Sequence, residues 1–294
     1  MRNDSPEGTE GNLPLGTNNM TSILDRQEDG TIKLTITIPW SRVKKAKEEA
    51  IAAHVDSTQL PGFRKGKAPK KLVEDNIDQD HLREEALRKL LPETYVEALK
   101  EHDLKPILNP KIHVAKLEDD KDWSFEAFTA EAPEISLGDY KDAVKKVTAK
   151  SKLIVPGKEP APANFEDIAK AILEMAKIRI PQIIIDQEVD RLLAQTLDEV
   201  KRLGLTLDQY LASTGRNTEA LREEYAKKAE GDIKLEFILQ KIAEDEKITV
   251  EEKEIDEAIT QAKTEVERQN LQNNRYLLAS IIRQQKTLDF LRNL

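Results

Sequence analysis

Thr31-Ile32-Lys33-Leu34-Thr35-Ile36-Thr37-Ile38-Pro39 alternates apolar with polar residues. Successive side chains of a strand point to opposite faces, so a period of two lays Ile32, Leu34, Ile36 and Ile38 on one buried face. The period changes directly afterwards. Over Ser41–Val55, Val43, Ala46, Ala50, Ile51 and His54 recur at the three-to-four spacing of one helical face, with Ser41 as the N-cap. A second helix is expected over Ala68–Ile77, with Pro69 in its first turn. A third is expected over Asp80–Glu101 through Leu82, Ala86, Leu90 and Leu99, and Pro92 should kink or interrupt it. Lys111–Leu117 and Trp123–Ala130 then read as strands about the polar turn Glu118–Asp122, with Trp123, Phe125 and Ala127 on one face. Strand, helices and hairpin together predict a small α+β domain over residues 22–135.

The flanking sequence has a different character. Residues 1–21 are rich in Gly, Asn and Pro and read as a disordered tail, with Met1 and Met20 alternative starts. Residues 136–162 read as a linker, stiffened by Pro156, Pro160 and Pro162. Residues 163–294 read as an all-α, extended helical domain. Pro181 opens a helix that Gly204 stops, and Thr206 caps a short one ending near Gly215. A long helix covers Thr218–Glu246 with Gly231 as its weak point. Thr249 and Glu252 form a capping box for the next, and the last runs over Asn274–Asn293. A length of 294 residues fits about two domains. With only two Trp, five Tyr and six Phe, the chain suits several small cores better than one large one.

Composition excludes whole classes of chemistry. There is no cysteine, so disulfides, thiolate metal sites and thiol catalysis are out. No apolar run approaches the roughly 18 residues of a membrane span. Met1–Met20 has no apolar signal-peptide core, so a cytoplasmic location is expected. A net charge of −9 argues against general nucleic-acid binding. No G-x-x-x-x-G-K-[ST] loop, G-x-S-x-G elbow or H-E-x-x-H helix occurs. His54, His81, His102 and His113 lack metal-ligand spacing and read as surface or core-edge residues. The carboxylates of the helical part, such as Glu251, Glu252, Glu254, Asp256 and Glu257, read as solvated faces. No catalytic set, metal or cofactor is expected.

One segment concentrates information. Leu60–Lys71, L-P-G-F-R-K-G-K-A-P-K-K, carries Arg64, Lys65, Lys67, Lys70 and Lys71 with no acid. Pro61-Gly62 is turn chemistry and Gly66 frees the backbone again. Phe63 is a large ring between glycines in a cationic loop. Such a ring can fill a pocket while Arg64 and Lys65 meet phosphates or carboxylates. Composition alone leaves this level with a solvated connector whose Phe63 folds back on the domain.

Gly62-Phe63-Arg64-Lys65-Gly66-Lys67-Ala68-Pro69 resembles the ribosome-docking signature of bacterial trigger factors, G-F-R-x-G-x-x-P, and matches it at every fixed position. Phe125-Glu126-Ala127-Phe128 and Ala132-Pro133-Glu134 are similar to the same family. In the helical part so are Ile180-Pro181-Gln182, Arg191-Leu192-Leu193, Leu205–Leu211 and Leu288-Asp289-Phe290-Leu291. The resemblance covers about residues 22–140 and 163–294. That family usually carries a prolyl isomerase domain, similar to FK506-binding proteins, between these parts. The stretch between Tyr140 and Asn164 is too short for a domain. The resemblance is therefore to a trigger factor without that domain, and isomerase activity is not carried over.

The resemblance implies an ATP-independent chaperone at the ribosomal exit tunnel. Phe63, Arg64 and Lys65, with Lys67, would meet ribosomal protein and ribosomal RNA, and Gly62, Gly66 and Pro69 would shape the loop. Cations on phosphate give salt-sensitive affinity, and a buried aromatic anchor is worth about 2 kcal/mol or more. The helical part would cradle nascent or unfolded polypeptide, which requires apolar surface left uncovered. Leu192, Ile255, Ile259, Tyr276, Leu277 and Ile281 are candidates, although each alone reads more readily as helix packing. Homodimerisation stays open, and no membrane partner is expected. Two alternatives compete: a prolyl-isomerase-type folding enzyme, which needs more aromatic lining than Tyr140 and Phe165 supply, and a periplasmic SurA-like chaperone, which needs a signal peptide and not the docking loop.

Overall fold

The computed structural model describes residues 19–57, 63, 69, 71–72, 76–151 and 164–294. The chain divides into two compact units, Met1–Glu131 and Ala132–Leu294. In the first, β1 (Thr21–Arg26), β2 (Ile32–Ile38), β3 (Lys111–Lys116) and β4 (Trp123–Thr129) form an antiparallel sheet of order β1-β2-β4-β3. Helices α1 (Trp40–Ser57) and α2 (Gln79–Glu101) complete it. The expected alternation is present: Ile32, Leu34, Ile36 and Ile38 are buried, as are Trp123, Phe125 and Ala127 of β4. Register places Leu34 opposite Ala127, Ile36 opposite Phe125 and Ile38 opposite Trp123. Val43 and Ala46 of α1 and Ala86, Leu90 and Ala98 of α2 close over this face.

Two features differ from the sequence reading. β1 was not expected, because Ile23 and Leu24 are adjacent and so lie on opposite faces. Leu24 pairs with Leu34 and packs on the core, whereas Ile23 is left exposed at the sheet edge. Pro92 does not interrupt its helix: α2 is continuous across it. Leu90, Thr94 and Ala98 are buried on either side, and the Thr94 hydroxyl donates to the Leu90 carbonyl at 2.7 Å, so tertiary packing outweighs the lost N–H. The helix expected over 68–77 lies mostly outside the described residues; within it, Leu72 N–H donates to the Pro69 carbonyl at 3.0 Å. The tail read over 1–21 falls outside them as far as residue 18; its end is corrected, because Met20 packs on the core and Thr21 opens β1.

The second unit begins at Ala132 and takes in the start of the stretch read as a linker. β5 (Ile135–Ser136) pairs with β6 (Lys177–Ile178), and α3 (Tyr140–Ser151) follows β5. The linker reading over 136–162 is therefore corrected for residues 136–151; residues 152–163 lie outside the described residues. Tyr140, Val144 and Thr148, four apart, bury one face of α3, and Leu137 is buried just ahead of it. The Tyr140 hydroxyl donates to Glu246 at 2.8 Å, and Lys141 pairs with the same carboxylate at 2.6 Å. Gly138 has φ +56°, and a Cβ there would stand 3.0 Å from the Met175 carbonyl oxygen, so only glycine fits without strain.

The remaining helices are α4 (Phe165–Met175), α5 (Gln182–Arg202), α6 (Leu207–Thr214), α7 (Thr218–Asp245), α8 (Glu252–Thr260), α9 (Glu265–Asn273) and α10 (Arg275–Arg292). Thr206 and Gln209 form a capping box, and Gly215 ends α6 at φ +66°, as the sequence suggested. α7 runs unbroken through Gly231. The capping box expected at Thr249 and Glu252 is instead Glu251 with Glu254, because the helix begins two residues later. Two small cores result. One gathers Leu137, Tyr140, Val144, Ile168, Ile172, Ile238, Leu239, Ile242 and Leu291; the other gathers Ile180, Ile185, Val189 and Ala229.

The β3–β4 turn fastens both helices of the first unit. Asp119 accepts from Lys47 of α1 at 2.5 Å and from Arg83 of α2 at 3.0 Å, and Asp122 accepts the Trp40 N–H at 2.8 Å. The Lys47 hydrogen bond holds the Asp119 carboxyl below the usual aspartate range. A lowered carboxyl pKa stabilises the fold at neutral pH, and that stability disappears as pH falls through the folded-state value. Asp119 is partly exposed, so screening keeps the effect small. Asp119→Asn should cost about 0.5–1 kcal/mol near pH 7 in urea denaturation, and the gap to the unsubstituted chain should close under acid.

Candidate functional site

In the first unit the candidate site is the segment that joins α1 to α2. These helices are antiparallel and fastened along their length. Arg42 makes a bidentate pair with Glu97 at 2.6 and 3.0 Å, Glu49 meets Lys89, and His54 Nε2 lies 3.0 Å from Glu85. The Arg42 hydrogen bond lowers the Glu97 pKa. Residues 58–78 connect the end of this helical hairpin where His54 and Glu85 meet. The Phe63 ring is 38% exposed, and Pro69 is exposed too. Gly62, Arg64, Lys65, Gly66 and Lys67 lie outside the described residues.

In the second unit the candidate surface is centred on α10. Tyr276, Leu277 and Ile281 are 91%, 60% and 54% exposed. Leu277 and Ile281, four apart, share a face, and Tyr276 borders an open cleft of about 480 Å³ between α7, the segment 248–250 and α10. The cleft lining combines Leu239, Ala243 and Val250 with Glu236, Gln240 and Gln284. Its framework is held by polar side chains of α10. Arg283 donates to the Ile248 carbonyl at 2.9 Å; Lys286 donates to the Thr249 carbonyl at 2.7 Å and to Glu254 at 2.9 Å. The Glu254 pKa is lowered first by its bond from the Glu251 N–H and then by Lys286. Arg275 ties α10 to α8 through Asp256 and Glu252 at 2.8 and 2.5 Å.

The other three candidate client residues are placed differently. Ile255 and Ile259 are buried on α8, and Leu192 is half-buried against the core around Ile185 and Val189. Ile255 and Ile259 therefore pack inside the unit, whereas Leu192 keeps part of its surface in water. Sequence reasoning missed other uncovered apolar groups: Leu203 is 73% exposed, and Leu205 and Val266 are exposed as well. Leu203 and Leu205 flank Gly204, beyond the last turn of α5, where no helical neighbour covers them; that placement was visible in the sequence.

Residues 20–155 match the family model of the bacterial trigger factor protein, and residues 159–293 match that of its C-terminus, so only 156–158 lie between them. The chain belongs to the trigger factor family. The trigger factors of Staphylococcus aureus strains JH9 and Newman are each 39% identical over 122 residues, 42% of this chain and 28% of the relative. The aligned stretch thus spans under a third of those relatives. A solved structure described as "Promiscuous Substrate Recognition in Folding and Assembly Activities of the Trigger Factor Chaperone" is similar over 92% of this chain and 99% of that one, at a TM-score of 0.61 and 14% identity. It shares the fold. Among the described residues, no helix is long and apolar enough to cross a membrane.

Exposure separates the two groups of isoleucines. Ile281→Ser should change stability by less than about 0.5 kcal/mol, whereas Ile259→Ala should cost about 2–5 kcal/mol, both read by urea denaturation.

Proposed function

We propose that this chain is an ATP-independent chaperone, not an enzyme, which docks beside the ribosomal exit tunnel through the Gly62–Pro69 segment and holds nascent or unfolded polypeptide on its helical unit. The observation that carries the reading is the uncovered apolar surface of Tyr276, Leu277 and Ile281 on a firmly held helix, in a chain of the trigger factor family. A holdase acts by preferring unfolded states, and exposed apolar groups beside a polar-rimmed cleft provide that preference without nucleotide. In the docking segment, Phe63 would anchor while Arg64, Lys65 and Lys67 meet ribosomal protein carboxylates and ribosomal RNA phosphates in the cytoplasm. The half-exposed Phe63 ring and the braced α1–α2 hairpin support that role: they present a large apolar group on a rigid base.

Cosedimentation with bacterial ribosomes across a salt series tests the docking half. Binding should weaken with rising salt and be lost when Phe63, Arg64 and Lys65 are all changed to Ala, with helical circular dichroism unchanged. Equal sedimentation of both proteins would overturn it. A proline-limited refolding assay tests the non-enzymatic half: substoichiometric chain should leave the slow phase at its uncatalysed rate, tens to hundreds of seconds at 25 °C. A catalysed rate would refute it.

A further inference from the structure

The packing of α1 on α2 assembles a group that sequence spacing conceals. His54 lies in the last turn of α1 and His81 in the first turn of α2. Glu85 sits one turn beyond His81 on the same face. Glu85 Oε2 is 3.0 Å from His54 Nε2, and Glu85 Oε1 is 3.3 Å from His81 Nε2. The imidazole rings stand edge to face at 5.7 Å between centroids, and one ligand atom from each of the three residues falls within 4.8 Å of the others.

We propose that His54, His81 and Glu85 bind one divalent transition-metal ion of the zinc class, which clasps α1 to α2 at the two ends of the segment 58–78. The donor set carries the choice of metal. Two imidazoles and a carboxylate suit zinc, cobalt, nickel or copper, whereas magnesium and calcium demand oxygen ligands. The geometry is close to what zinc requires. Tetrahedral bonds of about 2.0–2.1 Å set ligand atoms roughly 3.3 Å apart. Glu85 stands 3.0 Å from His54 through Oε2 and 3.3 Å from His81 through Oε1, so a small turn of the carboxylate and of the His81 ring, which is more than half exposed, brings one oxygen and both nitrogens to that spacing. Each imidazole ligates as its neutral form through Nε2, keeping its proton on Nδ1, and water completes the fourth position. The ion joins the two helices from which the basic segment departs and returns, so it fixes the width of that segment's base. Because it binds only the folded arrangement, it also stabilises the first unit.

Calorimetric titration of the full-length chain with Zn²⁺ tests the site. One ion per chain is expected, with Mg²⁺ producing no comparable heat. His54→Ala, His81→Ala and Glu85→Gln should each weaken Zn²⁺ by at least about tenfold, while His102→Gln and His113→Gln leave it unchanged. Zn²⁺ should raise the melting temperature of the unsubstituted chain but not that of His81→Ala. His81 is the more exposed histidine, so its variant keeps the test valid if His54→Ala folds poorly. No Zn²⁺ binding in the micromolar range, equal binding of Mg²⁺, or affinity unchanged in His81→Ala would each overturn the proposal.

Discussion

The first unit depends on one apolar contact: the inner face of the sheet against α1 and α2. Leu34, Ile36 and Ile38 stand opposite Ala127, Phe125 and Trp123 across the β2–β4 ladder, with Ile32 opposite Thr129, and both helices close over them. Each large side chain buried there contributes about 1.5–3 kcal/mol. This term is non-directional, so it does not choose how the helices cross the sheet. The turn between β3 and β4 supplies direction, because Asp119 grips Lys47 and Arg83 while Asp122 takes the Trp40 N–H. Burial makes the layer, and charged hydrogen bonds orient it. The basic segment inherits a defined base because its two ends are the ends of that oriented hairpin.

Much of this architecture was legible in the sequence because it rests on local periods. The β2 alternation, the Trp123–Phe125–Ala127 face, the Thr206 cap and the Gly204 and Gly215 stops are all written within a few residues. The misreadings share a different cause. β1 is an edge strand with two adjacent apolar residues and no alternation, so its identity comes from its partner β2. α3 has a clear stripe, yet its burial depends on Ile168 and Ile238, far along the chain. Pro92 is tolerated because its neighbours are buried, not because of anything local. Of the candidate surface, Tyr276, Leu277 and Ile281 were legible as apolar, but their exposure was not. Ile255 and Ile259, no less apolar, are buried. The meeting of His54, His81 and Glu85 was hidden because two helices contribute.

The scarcity of aromatic residues explains why the second unit has two modest cores in place of one. Tyr140 is its one buried aromatic ring among the described residues; Leu, Ile and Val fill most of the rest. Helices packed by small aliphatic cores leave long stretches of surface, and here that surface is laced with short-range ion pairs such as Glu188–Arg191, Glu230–Lys234 and Lys241–Asp245. Such exposed pairs contribute little stability each. They do keep the helices soluble around the apolar groups left uncovered.

The manner in which α10 is held gives those uncovered groups their meaning. An apolar side chain on a loose segment would collapse onto the nearest core. α10 is prevented from doing so at both ends and in the middle: Arg275 is tied to α8, Arg283 and Lys286 hold the extended segment 248–250, and Thr287 and Leu291 are buried. Tyr276, Leu277 and Ile281 therefore stay in water because the scaffold leaves them no partner. A preorganised apolar strip would need little ordering if an extended chain lay on it, so the cost of the proposed binding would fall mainly on the client. The polar residues that rim the adjoining cleft confine the strip to a small patch, and patch size decides between transient capture and self-association. The proposed brief holding of varied unfolded chains would rest on that balance: apolar contact on a helix braced by charge.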